Sequence, residues 1–111
     1  MSDNQAVLKY LCEQQASMTG LLKDLVLMET PSTDRDSQLQ IRRRLKAEFE
    51  EIDYRVNLVP GRNSGGHVYA SPKNRRKQQP AQLMIGHCDT VWPIGTLETM
   101  PLELEADKLR G

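Results

Sequence analysis

The stretch "LMIGHCDTVWPIG", Leu83–Gly95, decides how this chain is read. Leu83, Met84 and Ile85 form an apolar run with no polar alternation, as in a strand covered on both faces. The run ends in Gly86 and then His87-Cys88-Asp89, two polar side chains separated by one residue. In an extended chain, residues two apart point to the same side, with Cα atoms about 6.6 Å apart. The imidazole and carboxylate are therefore expected to project together from the carboxyl end of the strand, the edge where α/β sheets usually bind ligands. One ring nitrogen can then meet a metal while the other donates its proton to the acid, which fixes the tautomer. Cys88 falls on the opposite face and reads as packing.

Upstream of this stretch the periodicity is helical. Leu8, Leu11, Met18, Leu21, Leu22, Leu25 and Val26 recur at three- and four-residue steps, which predicts a helix from about Asn4 to Glu29. Ser2, Asp3 or Asn4 can cap it, and Gly20 marks a candidate bend near Thr19. "TPSTDRDS", Thr30–Ser37, is a turn cluster with Asp34 or Asp36 as the next cap. A second helix is expected over Asp36–Ile52, with Ile41, Leu45, Phe49 and Ile52 on one face. "YRVNLV", Tyr54–Val59, then alternates like a half-buried strand, and "HVYA" makes another. "AQLMIGH" is the third strand. "PLELEADKLRG" alternates leucine with glutamate and turns at Ala106-Asp107 into a hairpin. Two amino-terminal helices, three strands and a hairpin make a mixed α/β layered fold.

Composition narrows the function classes. The 111 residues carry fifteen basic and fifteen acidic side chains, so no net field draws the molecule to nucleic acid or anionic lipid. No apolar run reaches the roughly 18 residues of a membrane span, and the first residues lack the layout of a secretory signal. Cys12 and Cys88 lie far apart and outside any CxxC spacing, which suits a reduced, cytoplasmic chain. Arg42, Arg43 and Arg44 fan around a helix at about 100° per residue and form no single stripe. The non-enzymatic alternative is a small α/β binding module whose Arg42–Arg44 and Lys73–Lys77 clusters contact nucleic acid. Charge balance and the lack of an aromatic stacking face weigh against it.

From Leu83 to Gly111 the chain resembles the zinc-dependent metallopeptidase family of glutamate carboxypeptidases, acetylornithine deacetylases, succinyl-diaminopimelate desuccinylases and aminoacylases. The resemblance rests on an apolar strand, Gly-His-x-Asp-Thr-Val, a Pro/Gly loop, and a Pro-Leu-x-Leu-x-x-Asp-Lys-Leu-x-Gly hairpin, in that order. "LVLMETPSTD", Leu25–Asp34, is similar to the segment joining the family's first two helices, and the later loop is most similar to the glutamate carboxypeptidase branch. Residues 1–111 would then be the amino-terminal part of a mixed-sheet catalytic domain, without its remainder or the inserted domain that serves dimer contacts.

The resemblance assigns His87 as the first zinc ligand and Asp89 as the active-site aspartate beside it. It implies two zinc ions, with cobalt as a substitute, activating water against the amide carbonyl of a small N-acyl amino acid or peptide substrate. The bridging aspartate, the glutamate pair supplying base and ligand, and the later ligands would lie beyond Gly111. The fragment alone is expected to be inactive. Glu98 is a weak candidate base, Glu103 and Glu105 read as solvent-facing, and His67 reads as an ordinary strand histidine. Trp92-Pro93 reads as a cleft wall or a lid over the core. Asp53 stands where the family often has Gly, and it tolerates a left-handed conformation better than most residues.

Overall fold

A computed structural model describes residues 2–111 as a mixed helix and strand protein. It has three helices and two small antiparallel sheets, in two compact units. One unit joins the residues up to Met28 with Leu97–Gly111; the other is Glu29–Thr96.

In the first unit the expected long helix is two, α1 Asp3–Glu13 and α2 Gln15–Val26. Ser2 opens α1 with a reciprocal capping box: its hydroxyl accepts the Gln5 N–H, and Gln5 Oε1 accepts the Ser2 N–H at 3.1 Å. The interruption falls at Gln14, not at Gly20, which sits inside α2. Gln14 N–H divides itself between the Tyr10 and Leu11 carbonyls at 3.0 and 3.2 Å, a local tightening toward 3₁₀ geometry. Nothing in Glu13-Gln14-Gln15 marks this break. The unit's strands, β3 Glu103–Glu105 and β4 Lys108–Arg110, form the expected hairpin. Leu104 faces Leu109, and the opposed pairs Glu103–Arg110 and Glu105–Lys108 place unlike charges together. Ala106 turns the chain at a φ of 52°.

The second unit contains α3 Gln38–Glu51, β1 Tyr54–Val59 and β2 His67–Pro72. Neither expected residue caps the helix: the N-cap is Ser37, with no side-chain cap bond, while Asp34 Oδ1 accepts the N–H groups of Asp36 and Ser37, each at 3.1 Å, in the turn before it. The helix lies on an antiparallel pair in which Val56 faces Ala70 and Leu58 faces Val68. Ile41, 3% exposed, and Val56, 7% exposed, are the buried centre, and the Phe49 and Tyr54 rings meet at 5.6 Å. The passage from α3 to β1 turns through Asp53 at a φ of 62°, the left-handed geometry its position calls for. The arginines diverge as the helical pitch requires. Arg42 reaches the Gln38 carbonyl at 3.4 Å, Arg44 pairs with Glu48 at 2.6 Å, and Arg43 is exposed.

The expected third strand does not form. Residues 81–89 lie in no strand, and Leu83, Met84 and Ile85 are 80%, 86% and 86% exposed. A strand apolar on both faces needs hydrogen-bonded neighbours and a layer on each side. Among the described residues no segment supplies the neighbours, so the run stays outside any sheet and solvated. Its continuation is anchored all the same, by a single parallel bridge between Pro31 and Thr90. Among the described residues no helix is long and apolar enough to cross a membrane.

Candidate metal site

The site is built on that bridge, within the second unit. Thr90 N–H donates to the Thr30 carbonyl at 2.9 Å, and Ser32 N–H donates to the Thr90 carbonyl at 2.9 Å. Thr30, fully buried, adds its hydroxyl to the Cys88 carbonyl at 2.9 Å. The turn cluster after α2 and the His-Cys-Asp segment are thereby tied together across almost sixty residues of chain. Two further contacts brace them. Gln38, buried at the start of α3, donates to the Pro31 carbonyl at 3.0 Å and accepts the Gly65 N–H at 3.1 Å. The Glu29 carboxylate accepts the Gly95 N–H through both oxygens, each at 2.9 Å.

From this support His87 and Asp89 project side by side. His87 Nδ1 lies 3.1 Å from the Asp89 main-chain oxygen and 3.3 Å from Asp89 Oδ1. Both neighbours are acceptors, so the neutral ring carries its proton on Nδ1 and leaves the Nε2 lone pair bare. The His87 side chain is 84% exposed, and among the described residues Nε2 makes no hydrogen bond. The other carboxylate oxygen, Oδ2, accepts a short hydrogen bond from the Ser32 hydroxyl. That hydroxyl is the main influence holding the Asp89 carboxyl below the usual aspartate range. The Asp89 N–H and His87 act in the same direction, while partial burial opposes them.

The order of contacts limits the chemistry. In a serine nucleophile triad the hydroxyl bonds to the imidazole that will take its proton. Here Ser32 donates to the acid, on the far side from the ring, so it is no activated nucleophile. Cys88 is half-buried between the two; burial, then the Asp89 charge, pushes its thiol up and away from thiolate chemistry. His67 is exposed at the start of β2. Trp92 is exposed in the loop after the bridge. A groove of about 930 Å³ in this unit lies against the sheet, between Phe49, Tyr54, Val68 and the Leu83-Met84 run; His87 does not line it.

For a zinc ion the chain thus offers one oriented imidazole with an acid behind it. Among the described residues no three His, Cys, Asp or Glu side chains gather to hold a metal. Since zinc takes at least three protein ligands, the residues present fit one ligand of a site and do not complete it. The sequence pattern pointed to His87 and Asp89. It gave no sign of Ser32 or Glu29, whose roles depend on the pairing of residue 31 with residue 90. No protein-family model, curated protein or solved structure matches the chain.

Proposed function

We propose that this chain is the amino-terminal part of a zinc-dependent hydrolase domain and supplies its first metal-binding imidazole. The reaction would be cleavage of an amide bond next to a free carboxylate, as in release of a carboxy-terminal glutamate or deacylation of an N-acyl amino acid. Support comes from one observation above the others: a solvent-facing His87 Nε2 whose partner nitrogen is engaged by Asp89. That is how a ligating histidine is held, with acceptors on its other nitrogen fixing the tautomer and raising basicity. The exposed Leu83–Ile85 run, apolar on both faces, suits a strand awaiting the rest of a central sheet.

In this reading His87 offers its Nε2 lone pair, and Asp89 orients the ring from behind. Zinc, when bound, supplies a polarising charge and lowers the pKa of its water. The other ligands and the general base belong to the rest of the domain, and the 111-residue chain by itself turns nothing over. The substrate is a small acylated amino acid or peptide, and dimer contacts fall to an inserted domain. Cytoplasmic residence belongs to the same proposal and suits two free cysteines.

The test is hydrolysis by the purified product of the whole reading frame that encodes this chain. Glutamate release from N-acyl glutamates and glutamyl peptides should require zinc, vanish with a chelator, and be lost in His87→Ala. Hydrolysis indifferent to both chelator and His87→Ala would contradict the proposal, as would no amide hydrolysis in zinc-loaded protein. So would robust turnover by the 111-residue chain alone.

A further inference from the structure

The first unit carries an apolar stripe along α1 and α2 that the described residues leave open. No residue of either helix is buried, and Leu8, Leu11, Met18 and Leu22 are 62%, 43%, 48% and 50% exposed. We infer that this stripe is a self-association surface, on which a second copy of the chain lies antiparallel with Leu11 of each copy against Leu22 of the other. The inference goes beyond the hydrolase reading, does not depend on it, and is separate from any contact made by an inserted domain.

The spacing points to a helix as the occupant. Leu8, Leu11, Gln15, Met18, Leu22 and Leu25 follow one another at alternating three- and four-residue steps, the a and d positions of a coiled-coil seam. The seam crosses the break at Gln14 because the hydrogen-bond ladder resumes there. Gln14 N–H reaches the Tyr10 carbonyl at 3.0 Å, and Met18 N–H reaches the Gln14 carbonyl at 3.0 Å. Charge favours an identical chain as the source of that helix. All five charged residues of the two helices, Asp3, Lys9, Glu13, Lys23 and Asp24, lie off the seam. Its flanks at Val7, Cys12, Gln14, Thr19 and Leu21 are uncharged, so two copies meet without the like-charge opposition that flanking positions can impose. The seam is also its own complement. Reversed and laid on a copy, Leu8 meets Leu25, Leu11 meets Leu22, and the single polar member Gln15 meets Met18. The same layers thus recur on both sides of a two-fold axis, as an isologous contact requires. A parallel pair would instead bring like helix ends together. On one side the stripe continues into a groove of about 760 Å³ between the helices and the hairpin, lined by Leu22, Leu104 and Leu109. Leu8 to Leu25 spans about 26 Å at the helical rise. So short a strip is smaller than a standard interface, so the association is weak, with a Kd on the order of 100 μM.

Sedimentation velocity of the 111-residue chain tests this. Between about 10 μM and 1 mM the parent should pass from monomer to dimer. Leu11→Lys and Leu22→Glu, each at an exposed position, should stay monomeric over that range with helix content by circular dichroism unchanged. Mixed in equal amounts, the two variants should dimerise again. Only antiparallel pairing sets the introduced lysine of one against the introduced glutamate of the other. Should either variant lose helix, Leu11→Ala and Leu22→Ala replace them, and each should raise the Kd about tenfold. A parent that stays monomeric at about 1 mM would overturn the proposal, and its pelleting with neutral lipid vesicles would give the stripe to a membrane surface instead. A dimer that these variants leave intact would also overturn it, by placing the contact elsewhere on the chain. Charged variants that are monomeric singly and remain so when mixed would overturn the antiparallel seam.

Discussion

Thr30 donates its hydroxyl to the carbonyl of Cys88 at 2.9 Å from a fully buried position, joining the Thr30–Ser37 turn cluster to the segment that carries His87 and Asp89. Everything at the candidate site stands on this short stretch of pairing. Thr30→Val keeps the shape but removes the donor, and should cost about 1–2 kcal/mol through the carbonyl left short of a partner. Urea unfolding measures that loss. Faster hydrogen exchange at the Thr90 amide should accompany it.

Gln38 makes an independent prediction. Its amide satisfies two buried main-chain groups at once, the Pro31 carbonyl and the Gly65 N–H. Gly65 packs so close to this side chain that no Cβ fits there without displacing it. Gln38→Ala should lower stability by about 2 kcal/mol and the melting temperature by about 10 °C. Thermal unfolding followed by circular dichroism checks the figure.

The acid beside His87 sets a pH dependence. The Ser32 hydroxyl holds the Asp89 pKa below its ordinary value, so the folded state favours the carboxylate more than the unfolded state does. Its contribution to stability is thus present above the unfolded aspartate pKa, about 3.9, and disappears as pH falls through the lower folded value. Solvent screening keeps the contribution small for so exposed a group. Carbon-13 titration of the side chain should find the Asp89 midpoint below the ordinary aspartate value, and Ser32→Ala should raise it.

Much of the fold was legible in the sequence because its signals are local. Period-two alternation placed β1 at Tyr54–Val59, and the leucine–glutamate pattern placed the hairpin around Ala106-Asp107. The His-x-Asp spacing led to two side chains that meet 3.3 Å apart. The run Leu83–Ile85 showed the limit of such reading. Its residue types specify a strand covered on both faces, but a strand exists only where neighbours pair with it, and none does among the described residues. Ser32 and Glu29 were illegible for the same reason: each acts on a residue nearly sixty or more positions away.

The exposed run yields a prediction of its own. With Ile85 86% solvated, Ile85→Ser in this chain should change stability by less than about 0.5 kcal/mol while reducing the binding of a hydrophobic dye. A loss of several kcal/mol would mean that the run is packed in solution.

The central claim is that the ring at position 87 presents a bare Nε2 to a metal. Zinc titrated into the nitrogen-15-labelled chain tests it most directly. The account predicts that the His87 Nε2 resonance shifts progressively while His67 stays in place, and that Asp89→Ala weakens the response. Equal movement of both rings, or a His87 signal that zinc leaves untouched, would contradict it.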